Sequence, residues 1–404
     1  MNTDRDEQVR EYPFRAPGPL EPAEEWAPLR KGCPVAHVRL PSGDQAVLLT
    51  RYDDVRQVLS DPRFTHNLSA EGAARTTANE AGGVFERQEA SMLTDADRHQ
   101  RWRRMIMKSF TVKHISAMQQ RIEAMADQLI DDMVKQGPPL DLASALGFPL
   151  PVWVICELLG IPGVDRDKLA YWSNTMLSVT QYGQQEIDAA QAEFKAYLTA
   201  HIVAKRANPG DDLLSELLAA GDEGQGLSDM ELLLTAQGLL VAGHETTSNM
   251  IGKMVAMLLS DRRRWEQLLA DPSLVRTAVE EVLRFDANAG FGLPRFITED
   301  IEVAGQTLPR GTTVICAMAS ANRDERTFAE AEEMNLARSP NAHLTFGAGP
   351  HSCLGQTLAR TELQTVLRVL LRRLPTLALA VPTEALSRRA GLLVGGLEQV
   401  LVRW

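Results

Sequence analysis

The chain has 404 residues, of which 44% are apolar and 24% charged, and its formal net charge is −11. This composition is ordinary for a globular protein, and the acidic balance argues against general binding to nucleic acids. The cysteines Cys33, Cys156, Cys316 and Cys353 form no C-x-x-C pair, which argues against a disulfide framework and a zinc site. Since no apolar run is long enough to span a bilayer, we expect one cytoplasmic domain over residues 1–404, with no membrane or nucleic-acid partner.

Short strands account for a minor part of the predicted structure. Runs rich in β-branched residues and bounded by turn residues indicate strands. They are expected at 38–40, 46–50, 301–303 and 312–318. Together they define a small β region at about residues 35–65 and 293–320.

A long loop is predicted at 65–91, where small and polar residues show no hydrophobic periodicity. A helical pattern follows in which His99 and Arg103 lie four residues apart, so both project from one face. Taken alone, this face is typical of a solvated basic surface. Further positive charges on the same segment come from Arg101, Arg104, Lys108 and Lys113.

Helical periodicity continues through the middle of the chain, interrupted by short breaks that contain glycine or proline. The predicted helices cover 118–135, 140–159, 165–181 and 184–205. We therefore expect a fold that is mainly α, with a minor β region.

Residues 227–260 form the longest helical pattern, and Ser228 with Glu231 three residues later makes a capping box. Near the centre, Gly243 and Thr246 are poor helix formers, so stability alone does not explain their presence. A close crossing of two helices is one explanation. A groove edged by a hydroxyl group, suited to binding a small molecule, is the other.

The same stretch places an acid, Glu245, directly before the alcohol of Thr246. An acid beside an alcohol can relay protons and aim them. His244 precedes both, and we interpret it as structural or solvent-facing because adjacent helical positions point about 100° apart.

Glu281 and Arg284 lie three residues apart on a later predicted helix. On their own they would be a surface ion pair of little energetic weight.

Cys353 lies in a glycine-rich turn, residues 346–355, just before another helical pattern. Glycines allow tight bends and close approach to a flat group. A cysteine at a helix N-terminus has a lowered pKa and can serve as a thiolate metal ligand. An ordinary buried cysteine is the alternative.

Four motifs in this order resemble those of the cytochrome P450 family. The haem-binding loop F-x-x-G-x-x-x-C-x-G is matched by Phe346, Gly349, Cys353 and Gly355, and the distal A-G-x-[DE]-T-T by residues 242–247. The family's H-x-x-x-R is matched by His99 and Arg103. Its E-x-x-R, with the arginine of a later Asn-Arg-Asp segment, is matched by Glu281, Arg284 and Arg323.

The resemblance implies a P450 fold that holds haem b between the long central helix and the cysteine loop. Cys353 would be the axial ligand of the iron. Glu245 and Thr246 would be the catalytic residues that supply protons and activate oxygen. The residues that resemblance assigns to cofactor binding, besides Cys353, are His99, Arg103, Gly243, Arg295, Phe346 and His351.

The resemblance also implies a monooxygenase that transfers one oxygen atom from O₂. Electrons would come from NAD(P)H through a separate ferredoxin and ferredoxin reductase, docking on the basic surface around Arg104 and Lys108. The substrate contacts would lie on the loop at 65–92, on the helix pair near Gly183, at 287–294 and on the hairpin at 391–396. Their small and apolar side chains favour a medium-sized, largely apolar natural product. Oxidative aromatic coupling, peroxide-driven oxidation and a haem-based gas sensor or carrier are the alternatives.

Overall fold

The computed structural model describes residues 9–79, 95–161, 163, 166–222, 226–287 and 290–404. Residues 80–91 of the predicted loop, and Asn288 and Ala289 of the predicted substrate wall, lie outside these residues. The α-helices are α1 (Trp26–Gly32), α2 (Tyr52–Ser60), α3 (Ala96–Ile106), α4 (Val112–Gln136), α5 (Pro149–Leu159), α6 (Arg166–Met176), α7 (Gln184–Ala207), α8 (Leu213–Asp222), α9 (Asp229–Leu259), α10 (Arg262–Ala270), α11 (Val275–Phe285), α12 (Met318–Ala321) and α13 (Gln356–Arg373).

The β structure is small, as predicted. The strands are β1 (Arg10–Glu11), β2 (Val35–Arg39), β3 (Gln45–Leu49), β4 (Phe64–Thr65), β5 (Leu140–Asp141), β6 (Leu293–Ile297), β7 (Ile301–Val303), β8 (Gln306–Leu308), β9 (Thr313–Cys316), β10 (Ala378–Leu379) and β11 (Leu401–Arg403). One sheet has the order β1-β2-β3-β9-β6-β4, a second β10-β11-β5, and β7 pairs with β8. The predicted β region therefore forms most of the first sheet.

The second sheet was not predicted from the sequence. Its strands are two or three residues long, and β5 lies more than 200 residues before β10 and β11 in the chain. A strand is recognised in a sequence by apolar and polar residues that alternate over four to eight positions. These strands are too short to show that alternation. The predicted helix at 140–159 was also too long. The segment begins as β5, continues as a π-helical turn (Ala143–Gly147) and becomes α5 only at Pro149.

The long helix α9 is the centre of the molecule, and its prediction is confirmed. Ser228 caps it by accepting a hydrogen bond from the Glu231 backbone N–H, and the Glu231 side chain returns a bond to the Ser228 N–H. Its buried side chains join the largest hydrophobic core, together with those of α4, α5 and α13. Because α9 packs against α5, α7 and α13, it positions its central residues within the body of the protein.

None of the helices in the described part of the chain is both long and apolar enough to cross a membrane.

Candidate active site

The turn that carries Cys353 is held in shape by backbone hydrogen bonds. The Cys353 N–H donates to the Phe346 carbonyl oxygen at 2.8 Å, and the Gly347 N–H donates to that of Leu344 at 2.8 Å. Gly349 has a φ of +70°, and a Cβ atom there would lie 2.8 Å from the Leu59 carbonyl oxygen at the end of α2. Glycine is therefore required at this position both for the bend and for the close contact.

Cys353 combines accessible surface with close protein surroundings. Its side chain is accessible, yet burial is the largest influence on its thiol and raises the pKa above the ordinary value. Accessible surface and a burial effect on the pKa are compatible when the sulfur has many protein atoms nearby but is not covered by them. The Gly355 backbone N–H and the charges of Arg103 and Arg360 act in the opposite direction but do not prevail.

This result corrects the expectation that the helix N-terminus alone lowers the pKa of Cys353. The sulfur precedes the first residue of α13, Gln356, by three positions, and a dipole effect falls off within one turn. A metal ion bound by Cys353 would favour the thiolate, because a coordinating thiol is deprotonated outright. The thiol chemistry therefore fits an iron ligand.

Three imidazole rings lie close together beside the cysteine turn. The ring centroid of His351 lies 3.9 Å from that of His99, at an interplanar angle of 19°, and 3.9 Å from that of His66. His66 Nε2 is buried and has no hydrogen-bond partner in the described protein. In the described part of the chain, no group of three or more His, Cys, Asp or Glu residues has a metal-binding arrangement.

Two arginines complete this cluster. Arg103 of α3 donates from Nη2 to the Ser352 hydroxyl at 3.4 Å. Arg295 is buried on β6 and donates from Nη1 to the Pro294 carbonyl oxygen at 2.7 Å. We call His66, His99, Arg103, Arg295 and His351 the cationic cluster, after the two guanidinium groups that carry its positive charge.

The cationic cluster suits an anionic ligand. Burial, followed by the charges of Arg295, His351 and His99, lowers the pKa of His66 to about 2. Burial and neighbouring cations likewise lower the pKa of His351 to about 3. Among the described residues, no carboxylate contributes to either shift. Guanidinium and imidazole donors facing one space are well suited to a pair of carboxylates.

Four members of this cluster were predicted, namely His99, Arg103, Arg295 and His351, and the structure brings all four together. His66 was missed because it follows β4 at the start of an aperiodic segment. Only the strand pairing reveals it, since β4 pairs with β6 and places Thr65 opposite Phe296, next to Arg295. The predicted site residue Phe346 lies under Arg360, whose guanidinium is 4.4 Å from the ring centroid.

The middle of α9 has an accessible stripe. Ala242, Gly243 and Thr246 keep accessible surface while Val241, His244 and Glu245 beside them are buried. Positions three and four apart share one helix face. Thr246 donates from Oγ1 to the Ala242 carbonyl oxygen at 2.8 Å, so a hydroxyl group lies on this open stripe.

Gly243 has a packing role. A Cβ atom there would lie 2.7 Å from Cδ1 of Ile155 on α5, closer than real Cβ contacts allow. The sequence offered two explanations for these poor helix formers. The close helix crossing explains Gly243, and the groove edged by a hydroxyl group explains Thr246. Contact of Gly243 with a cofactor remains a prediction.

His244 is fully buried, so of its two predicted roles the solvent-facing one was wrong, whereas the structural one fits its internal contacts. Its Nδ1–H donates to the Leu240 carbonyl oxygen at 2.6 Å, and Nε2 lies 3.2 Å from the Ser173 hydroxyl on α6. Nε2 is also 3.5 Å from Oε1 of Glu245. Although adjacent side chains on a helix diverge, both of these are long enough to meet again.

Glu245 is a buried carboxylate with several partners. Asn249 donates from Nδ2 to Oε2 at 3.2 Å, and Nη1 of Arg389 lies 3.6 Å from the same oxygen. Burial raises the pKa of Glu245, but interactions with His244, Arg389 and Asn249 together outweigh it and bring the pKa below its ordinary value. Glu245 is therefore ionised near neutral pH.

Behind the cysteine turn, Glu281 and Arg284 are both fully buried. Two hydrogen bonds of 2.8 Å join them, from Nε and Nη2 of Arg284 to the two carboxylate oxygens. Arg284 also donates to three backbone carbonyl oxygens, those of Asn322, Ala331 and Glu333.

The third arginine of this network was predicted incorrectly. Arg338, not Arg323, contacts Glu281, with Nε 3.1 and 3.0 Å from the two carboxylate oxygens. Arg323 instead donates to the Phe285 carbonyl oxygen and to Glu332. Arg323 lies next to Arg284 in the fold, but its guanidinium is turned toward the end of α11.

Comparison with known proteins supports the geometry. A family model described as Cytochrome P450 matches residues 168–378. The chain is 41% identical over 400 residues to nocardicin C N-oxygenase from Nocardia uniformis subsp. tsuyamanensis, covering 98% of this chain and 99% of that protein. It is 39% identical over 399 residues to mycinamicin IV hydroxylase/epoxidase from Micromonospora griseorubida, again covering 98% and 99%.

Solved structures agree with these matches. The LnmA cytochrome P450 hydroxylase from the leinamycin biosynthetic pathway of Streptomyces atroolivaceus superposes with a TM-score of 0.89 at 38% identity. The match covers 98% of this chain and 100% of that structure. The predicted fold class is confirmed.

Proposed function

Since the chain belongs to the cytochrome P450 family and is a monooxygenase of that family, we propose that it hydroxylates or epoxidises a medium-sized, largely apolar organic substrate. The reaction consumes substrate, O₂, NAD(P)H and a proton, and yields oxygenated product, water and NAD(P)⁺. The relatives named for nocardicin C and mycinamicin IV support a role in secondary-metabolite biosynthesis. The observation that carries the proposal is the buried, ionised Glu245 directly beside the accessible hydroxyl of Thr246 on α9.

The described residues fit haem b. Cys353 would bind the iron, and the cationic cluster would hold the two propionates, because its five side chains can donate hydrogen bonds and no carboxylate contributes to the pKa shifts of His66 and His351 among the described residues. When bound, haem would supply the redox-active iron at which O₂ is reduced.

The protein's own contribution to the chemistry is proton handling. The oxygen atom that leaves as water needs two protons, and their delivery must be confined to the open stripe of α9. The lowered pKa keeps Glu245 ionised, so its carboxylate has a free site for a proton and would release that proton readily toward the open stripe. The Thr246 hydroxyl is on the accessible face and, while its O–H donates to the Ala242 carbonyl oxygen, its oxygen can accept a hydrogen bond from a water molecule and orient it there. Glu245 would thus supply protons, and the Thr246 hydroxyl would direct them.

Replacing Thr246 with alanine tests this function. We expect product formed per NAD(P)H to fall at least about tenfold, since a positioned proton donor typically contributes about 10²- to 10⁴-fold, while NAD(P)H consumption continues and hydrogen peroxide accumulates. Both quantities are measured with a surrogate ferredoxin system and a substrate identified from spectral shifts. Thr246→Ser keeps the hydroxyl and serves as the control. Unchanged product yield in Thr246→Ala would contradict the assignment.

We place the electron donor on the surface formed by the end of α3 and the start of α4. Arg104, Lys108 and Lys113 are exposed there, as are the apolar side chains of Met107 and Val112, at 49% and 68%. Positive charge around an apolar centre is complementary to an acidic ferredoxin. A separate cytoplasmic ferredoxin and its reductase are therefore the proposed partners.

Reversing charge at Arg104 and Lys108 to glutamate should slow reduction by ferredoxin, and the loss should shrink as salt is added, because screening weakens such contacts. Stopped-flow reduction at two ionic strengths measures this. Lys135→Glu is the control, since it lies on the same helix about 33 Å from Lys113 at 1.5 Å per residue. A double reversal with no effect on the rate at low salt would remove this surface from consideration.

A further inference from the structure

The C-terminal hairpin, residues 386–398, reaches from the end of α6 to the middle of α9. Arg388 pairs with Leu397 across it, and Arg389 donates from its backbone N–H to Gly396. At the tip, Leu392 bridges to Ser178, just after α6. The hairpin is thus joined by backbone bonds to the segment that follows α6.

Gly396 allows the hairpin to approach α9 closely. A Cβ atom on Gly396 would lie 2.0 Å from Oδ1 of Asn249, which no side chain could occupy. Glycine therefore lets the two strands of the hairpin lie directly against the polar residues of α9.

Arg389 connects these two elements through its side chain. Nη2 donates to Oδ1 of Asn174 on α6 at 2.6 Å. Nη1 donates to Oδ1 of Asn249 at 3.3 Å and lies 3.6 Å from Oε2 of Glu245. One guanidinium thus contacts α6 with one nitrogen and the acid of α9 with the other.

A second connection runs in parallel. His244, which contacts Glu245, also contacts the hydroxyl of Ser173, the residue before Asn174. The two carboxylate oxygens of Glu245 are therefore linked to neighbouring residues of α6, Oε1 through His244 and Oε2 through Arg389. A shift of α6 would change both sets of contacts.

We propose that Arg389 is a positioning residue that couples the placement of the Glu245 carboxylate to the position of α6. While Asn174 holds the guanidinium, Arg389 and Asn249 hold Glu245 in its relay position. When α6 moves away, the guanidinium loses Asn174 and the carboxylate loses part of its support. Proton supply is then favoured only when α6 lies as it does here. This inference rests on the proposed oxygenase function.

The contacts of Arg389 are suited to positioning the Glu245 carboxylate and are not needed for the protein to fold. The Arg389 side chain is 22% exposed and approaches Glu245 without a bidentate bond. Glu245 keeps His244 and Asn249 when Arg389 is removed, so the buried carboxylate is not left without partners. We therefore expect the variants to fold.

The test compares Arg389→Met, Asn174→Leu and the double variant as holoenzymes. Each single change should lower product per NAD(P)H at least about threefold, and the double variant should be no worse than the Arg389 variant, because residues acting through one another are not additive. Hydrogen exchange in the peptide covering 173–180 should rise in Arg389→Met. Arg389→Lys should recover part of the yield.

Arg388→Met is the matched control, since the neighbouring side chain points to Asp286, with Nη2 3.6 Å from Oδ2. It should leave product yield unchanged. Unchanged yield and exchange in Arg389→Met, or losses that multiply in the double variant, would overturn the proposal. If the wild-type protein itself forms no oxygenated product, the proposed function fails, and the exchange measurement still shows whether Arg389 joins α6 to α9.

Discussion

Replacing Cys353 with alanine is expected to eliminate the red-shifted Soret band that the reduced, carbon monoxide-bound haem–thiolate protein should show. No other described thiol is accessible at the cationic cluster, since Cys156 and Cys316 are buried and Cys33 lies before β2. Without the sulfur, the iron loses its axial protein ligand and haem is retained only by the propionate contacts. Oxygenated product should therefore become undetectable. Absorbance spectra and the ratio of haem to protein measure the effect.

Two further variants sharpen this experiment. Cys353→Ser keeps the shape of the side chain and should bind haem without the thiolate band. Cys156→Ala removes a buried thiol from α5 and should keep the band. A thiolate spectrum in Cys353→Ser, or its loss in Cys156→Ala, would show that another residue binds the iron.

Breaking the buried ion pair is expected to have the largest effect on stability. Glu281→Ala would leave the guanidinium of Arg284, which has no exposed surface, without its carboxylate. Removing one partner of such a pair costs about 3–5 kcal/mol. Arg338 and Asn341 would also lose their acceptor. Since these residues lie behind the cysteine turn, we expect little haem-loaded protein, measured by urea unfolding and haem content.

A matched surface pair provides the control. Arg262 and Glu266 lie four apart on α10, and both side chains are largely exposed, at 42% and 61%. Glu266→Ala should change the free energy of unfolding by no more than about 0.5 kcal/mol, because exposed pairs contribute little. Normal stability and full haem occupancy in Glu281→Ala would refute the role assigned to the buried network.

Local sequence was sufficient for several features of the protein. The capping box at Ser228 and the apolar pattern after it predicted α9 to within two residues at its N-terminus and one at its C-terminus. Helix formation and capping depend on residues within a few positions of one another. The same is true of the glycine turn before α13. The candidate metal ligand and the acid–alcohol pair could therefore be identified from short motifs.

Partners distant in sequence could not be identified in this way. Arg338 meets Glu281 across 57 residues, and Arg389 meets Asn174 across 215. Neither arginine has a distinguishing local pattern, and many arginines in the chain are ordinary surface residues. Only the packing of helices decides which of them reaches a buried carboxylate.

The sequence by itself determined the fold class, the central helix and the short motifs, because these depend on neighbours along the chain. The tertiary structure decided which charges meet. It placed His66 in the cationic cluster and buried His244 against Glu245. It made Arg338, and not Arg323, the arginine that contacts Glu281. It also set the pKa shifts of Cys353 and Glu245. Burial and the distance to other charges control a side chain's pKa, and both quantities exist only once distant segments have packed together.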